Sequence, residues 1–226
     1  LTQNAQAQRD SAHSHSAVNP RLLLSYNMSK SLYHLAFGGY SIDPEVKFII
    51  PSQKYPRGIT IGFAGGKTKF FRKKNTTGNW ANYASEGFYL NPQLGVLFTE
   101  ESSNISFLGS LGFIYSRFDE SIQPFIEGGN FDDFYGEPIQ TLNQQTWGGD
   151  INLDVLFRFK SRFSLMLNIR TALVYYPQEN RDPLIRELPI FHIPGVGDRI
   201  STRRIFTGSG MFLSMGFGIK GVFIVF

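Results

Sequence analysis

Residues Trp147–Lys160 read WGGDINLDVLFRFK. Trp147, Gly149, Ile151, Leu153, Val155, Phe157 and Phe159 occupy alternate positions, and Gly148, Asp150, Asn152, Asp154, Leu156, Arg158 and Lys160 occupy the others. Successive side chains of a strand point to opposite faces, so one face of this segment is apolar and the other charged. Wound as a helix, the same stretch scatters its charges around the axis. The segment is also far longer than the usual strand of about 5–6 residues.

The pattern recurs on both sides. Phe163, Leu165, Leu167, Ile169, Leu173 and Tyr175 oppose Arg162, Ser164, Asn168 and Arg170. Ile105, Phe107, Leu111, Phe113 and Tyr115 oppose Ser106, Ser110, Gly112 and Ser116. Segments 84–98 and 40–50 alternate similarly, the latter with Ser41, Asp43, Glu45 and Lys47 on its polar face. Residues 57–71 and 22–28 alternate more weakly, and Met211–Ile219 is followed by Lys220 on the polar side. About eight strands result. Pro44 and Pro92 fall inside two of them, where a missing N–H predicts ladder defects.

The chain has 226 residues, with 22 Phe, 10 Tyr, 2 Trp, 23 Gly, no Cys and only 18% charged residues. Without cysteine there is no disulfide framework, thiolate metal site or thiol nucleophile. No stretch approaches the roughly 18 consecutive apolar residues of a spanning helix. The formal net charge is +4. Basic residues cluster once, at Lys67, Lys69, Arg72, Lys73 and Lys74, which argues against a nucleic-acid partner.

Connections near 51–56, 99–103 and 160–162 are short, whereas 29–37, 72–82, 119–142 and 177–203 belong to a long-loop side. Short turns at one end and long loops at the other predict a transmembrane antiparallel up-and-down β-barrel of about eight strands, with long extracellular loops and short periplasmic turns. A soluble barrel would place its apolar face inward, and alternation by itself does not say which face is inside. Strand length favours the membrane form, as do aromatics near strand ends: Tyr40, Tyr83, Phe98, Tyr115, Phe118, Trp147, Phe159, Phe163, Tyr175 and Tyr176. Residues 1–19 are polar and aperiodic, a flexible periplasmic tail ahead of a barrel at 20–226. The first residue, Leu1, fits removal of an export signal.

With the polar face inward, Asp43, Glu45, Lys47, Asp150, Asp154, Arg158, Lys160, Arg170 and Lys220 form a lumen network. Eight strands leave an interior just wide enough for side chains to fill. Charges of both signs there form a salt-bridged plug, with an ion path as the alternative.

The chain ends Gly-Val-Phe-Ile-Val-Phe. Gly221, Ile224 and Phe226 resemble the C-terminal assembly signal of bacterial outer-membrane proteins, although Ile219 stands where that pattern has a polar residue. Further motifs are Tyr83-Ala-Ser-Glu-Gly-Phe-Tyr89 with Gln93-Leu-Gly95, Ile114-Tyr-Ser-Arg-Phe118, Trp147 opening a strand, and Ile193-Pro-Gly-Val-Gly197. In this order they resemble a functionally uncharacterised family of small eight-stranded outer-membrane β-barrels of Bacteroidota. The resemblance implies a fold and the outer membrane of a Gram-negative bacterium, and no catalytic residues.

Catalytic candidates are sparse. His34 and His192, the histidines outside the tail, read as surface loop residues without a nucleophile at strand spacing. The acidic loop 119–142 reads as solvated, with Ca²⁺ or a basic partner as alternatives. The basic cluster Lys67–Lys74 sits at the outer rim, where lipopolysaccharide phosphates would meet it. No cofactor or metal is expected. The expected role is a non-enzymatic structural or accessory subunit of a larger envelope complex, bound to outer-membrane lipid and to other outer-membrane proteins or lipoproteins. The alternatives are a lipid-modifying enzyme acting through rim residues and a narrow pore.

Overall fold

The computed structural model describes residues 20–52, 54, 57–73, 80–99, 104–126, 128, 132–159, 162–177, 192–198 and 210–225. The tail at 1–19, Lys74, Lys160 and Phe226 lie outside the described residues. The elements are β1 (Arg21–Asn27), α1 (Met28–Ala36), β2 (Tyr40–Ile42), β3 (Pro44–Pro51), β4 (Gly58–Lys73), β5 (Trp80–Leu97), β6 (Ile105–Ile126), β7 (Phe134–Tyr135), β8 (Ile139–Arg158), β9 (Phe163–Tyr175), β10 (His192–Ile193), β11 (Gly197–Asp198) and β12 (Met211–Ile224).

Neighbouring strands pair antiparallel from β3 through β4, β5, β6, β8 and β9 to β12, and β1 joins β12 to β3. The sheet is therefore a closed ring of eight strands. β2 and β3 count as one, because both keep the same register on β4 and part only at Asp43 beside Pro44. At Pro92 the pairing with β6 passes over Asn91 and Pro92 without a change of register. Both prolines thus mark the expected ladder defects.

The apolar face is the outer one. Ile151 and Leu153 are more than half exposed, whereas Asp150, Asn152 and Asp154 between them are buried. Ile59, Phe63, Leu94, Leu111, Phe113 and Phe217 are exposed on other strands. Three of the aromatics expected at the outer edges point inward instead: Tyr83, Phe118 and Tyr176 are buried. Each shares the parity of its strand's polar face, and parity overrides the preference of an aromatic for an edge.

Two further expectations change. The 29–37 connection is helical. Asn27 caps α1, its Oδ1 accepting from the Lys30 N–H at 3.0 Å, and Gly38 with φ +78° ends it. The 119–142 loop is largely strand, since β6 runs to Ile126 and β8 starts at Ile139. A bulge between Phe118 and Glu120 permits this. Asn143, at φ +57°, donates its N–H to Asp119 Oδ1 at 2.7 Å, and Arg117 donates to its side chain. Glu120 is buried rather than solvated.

The ring closes unevenly. β12 pairs with β9 over Met211–Phe223 but with β1 only from Lys220 to Ile224. Among the described residues, no strand pairs with the β1-side edge of β12 above that seam. α1 stands there instead, and Ser29 Oγ accepts the Ile219 N–H at 2.9 Å.

Candidate functional site

The interior is layered along the ring axis. At the short-turn end, Leu23, Ile49, Leu97, Leu108, Leu156, Met166 and Val222 pack into an apolar floor. Each such side chain contributes about 1.5–3 kcal/mol when shielded from water.

Above the floor lies a charged layer. Lys220 bonds Glu45 at 2.7 Å, Lys47 lies 3.1 Å from Glu45, and Lys47 meets Asp154 at 2.5 Å. Asn168 donates to Asp154 at 2.7 Å, and Ser25 to Glu45 at 2.9 Å. Four residues from Asp154 along β8, Asp150 accepts from Arg170 at 2.5 Å and from Asn91 and Asn152 at 3.0 Å each. Gly112 makes room, because a Cβ there would lie 2.1 Å from Asp150 Oδ1. Asp43 pairs with Lys30 of α1 at 3.1 Å. The structure thus brings together Asp43, Glu45, Lys47, Asp150, Asp154, Arg170 and Lys220 in paired contacts. Arg158 sits half-buried near the short turns, where its backbone N–H donates to the Asn104 carbonyl.

The upper interior holds a cavity of about 430 Å³. Its walls include Tyr89, Asn91, Asn152, Asn168 and Arg170, and its roof is α1 with residues 192–198. That segment lies in the mouth of the ring. Arg170 Nη1 donates to the Gly195 carbonyl, and Tyr83 donates to the His192 carbonyl at 3.1 Å. Gly195 has φ +77°, and a Cβ there would lie 2.1 Å from the Tyr89 ring, so both conformation and space demand glycine.

His34 and His192 are accordingly buried, not surface residues, and their rings meet edge to face at 5.0 Å. Phe70 stacks on His192 at 4.6 Å. His192 Nδ1 lies 2.7 Å from Asp198 Oδ1, and Tyr33 donates to Asp198 Oδ2 at 2.8 Å. A carboxylate only accepts, so Nδ1 carries the proton and Nε2 is an acceptor. His34 Nδ1 similarly donates to the Lys69 carbonyl at 3.2 Å. Burial pushes His34 down to about 4, with His192 and Lys30 adding to the shift. Burial also holds His192 below its ordinary value, outweighing Asp198. Asp198 is itself lowered: burial acts to raise it, but hydrogen bonds from His192 and Tyr33 prevail. Tyr33 is pushed up to about 12 by burial and its bond to Asp198. The constellation is therefore a neutral His192 oriented by an ionised Asp198.

The chain matches no protein-family model, no curated protein and no solved structure.

Of the basic cluster, Lys67 and Lys69 project outward and pair with Glu86 at 2.8 and 3.3 Å. Tyr40 donates to the same carboxylate at 2.8 Å. Arg72 and Lys73 lie at the exposed end of β4. Gly221 and Ile224 lie in β12, across from Tyr26 and Leu23. Among the described residues, no group of three or more His, Asp or Glu side chains is placed to hold a metal ion. Sequence reasoning missed Tyr33, Tyr89, Asn91 and Asp198, and read the buried His192 as a surface residue. Of these, Tyr89 and Asn91 carried a signal, their place on the inward parity of β5.

Proposed function

We propose that the chain is a non-conducting β-barrel of the bacterial outer membrane and an accessory subunit of an envelope protein complex. The carrying observation is a ring closed inside and apolar outside. The buried floor around Leu156 and the paired charges around Glu45, two successive layers inside the ring, support a closed interior. The exposed residues outside match hydrocarbon rather than water. From Ile105 to Tyr115, a rise of about 3.3 Å per residue and a tilt of about 40° give an apolar band about 25 Å tall, near that of spanning barrels.

The accessory role draws on the ribbon of β6, β7 and β8. Ile126, Phe134, Tyr135 and Leu142 are all more than half exposed along its far part, beyond the band. Apolar side chains clustered beyond the lipid suit contact with another protein. Two measurements test this reading. In planar bilayers the protein is expected to show no steady conductance, and sustained single-channel currents would overturn the closed interior. Extraction in mild detergent is expected to bring down a stoichiometric partner that Phe134→Asp/Tyr135→Asp loses. A monomer from the native membrane would remove the accessory role.

A further inference from the structure

The cavity under α1 has a chemistry and an opening of its own. Its charges are neutralised in pairs: Arg170 with Asp150, Lys220 with Glu45, Lys30 with Asp43. The remaining charge of the lining, the Asp198 carboxylate, has both oxygens engaged by His192 and Tyr33, so no charged group is left without a partner for an ionic ligand to pair with. What remains is hydrogen-bonding capacity of both signs. Tyr89 Oη and Arg170 Nη2 have no partner, and neither do Asn91 Oδ1 and His192 Nε2. Tyr89, Asn91 and His192 are each at most 1% exposed. A hydroxyl both donates and accepts, so a polyhydroxylated group satisfies such a mixed set where a carboxylate or an ammonium cannot. The volume suits one sugar-sized group.

The opening is lateral. Along β12 the alternation of buried and exposed residues breaks at Met215, Gly216 and Phe217, all exposed. Gly216 shares the inward parity of Ser214 and Gly218, yet a Cβ there meets nothing within 4 Å. These residues line the cavity and lie on the β12 edge that no described strand pairs. Phe217 is 83% exposed, and Leu32 and Leu35 of α1 are about two-thirds exposed. An apolar surface therefore flanks a slot that leads to a polar chamber.

We propose that this cavity binds the uncharged, hydroxylated headgroup of a membrane amphiphile, which enters sideways between α1 and β12 and leaves its acyl chains against Phe217 outside. The inference rests on the membrane reading above. The layout separates the ligand's two halves: hydroxyls reach Tyr89, Asn91 and His192, and hydrocarbon stays on the wall.

The test is native mass spectrometry of the full chain released from phosphatidylcholine nanodiscs. The probes are glucosyl diacylglycerol, diacylglycerol with the same chains, and free glucose. One glucosyl diacylglycerol per protein is expected to be retained at least tenfold over diacylglycerol, with free glucose not retained. Gly216→Trp, which fills open space at the slot, should cut retention at least tenfold, and Tyr89→Phe several-fold. Both variants are checked for folding by heat-modifiable migration. Retention of diacylglycerol at the same level would mean wall adhesion, and glucose alone binding as well would mean a soluble-sugar site. Neither lipid bound, or Gly216→Trp unchanged, would mean a water-filled cavity. Each of these outcomes overturns the proposal while the membrane reading stands. Failure to insert into nanodiscs overturns both.

Discussion

Lys220, on the last strand, donates a 2.7 Å hydrogen bond to Glu45, 175 residues earlier in the chain. The bond lies beside the short seam where β1 and β12 close the ring, so it joins the two ends of the sheet through a buried ion pair.

Removing one partner should therefore cost more than removing both. Lys220→Met leaves Glu45 and Asp154 with Lys47 as the shared cation, a loss of about 3–5 kcal/mol on the usual scale of a broken buried pair. Glu45→Gln combined with Lys220→Met should recover part of that loss. Urea unfolding in micelles measures both of these and Glu45→Gln alone. A double variant whose loss is the sum of the two single losses would mean that the pair is not coupled.

Leu153 lies midway along the outer band, between Ile151 and Val155. If lipid covers it, Leu153→Arg costs about 2–4 kcal/mol, the range for a cation near the bilayer midplane of a barrel. Ile126→Arg, near the ribbon tip, should change folding little. The folded fraction in lipid vesicles distinguishes the two, and a neutral Leu153→Arg would argue for water on that face.

Gly195 and Gly216 make opposite predictions for the same change. Gly195→Ala forces a side chain into φ +77° and against the Tyr89 ring, which should destabilise the 192–198 segment by about 1–3 kcal/mol. Gly216→Ala meets open space and should be close to neutral. Thermal unfolding and protease cleavage within 192–198 report the contrast.

Acid should loosen the roof of the cavity. His34 and His192 are both held below their ordinary values, so folding favours their neutral forms. Their contribution is fully present above the unfolded pKa of about 6.5 and is lost as pH falls toward the folded values, about 4 for His34. Asp198, lowered in the fold, loses its contribution only below about 3.8. The hydrogen-exchange protection factors of residues 192–198, taken relative to the intrinsic rate at each pH, should thus fall as pH drops from 6.5 to 4, and His34→Gln should flatten part of that fall. Protection that is flat over this range would show that the histidines are not coupled to the roof.

Alternation in the sequence already determined the strands within the band, the parity of each, and which face is polar. Parity is a local property of extended backbone, so Asp150, Asp154, Glu45, Lys47, Arg170 and Lys220 were assignable to one surface before any long-range contact was known. Above the band polar and apolar residues mix on both faces and the contrast disappears, which hid the continuation of β6 and β8 behind an apparent acidic loop. The tertiary structure alone decided what depends on distant partners. It turned the polar face inward, matched each charge to its counterion, and carried Tyr83, Phe118 and Tyr176 inside. It also set α1 into the seam that β1 leaves open and drew residues 192–198 into the mouth of the ring. The cavity, with its His192–Asp198 pair and its slot at Gly216, arises from those two insertions. No repeat or spacing encodes it, because the residues that form it meet only when the ring closes.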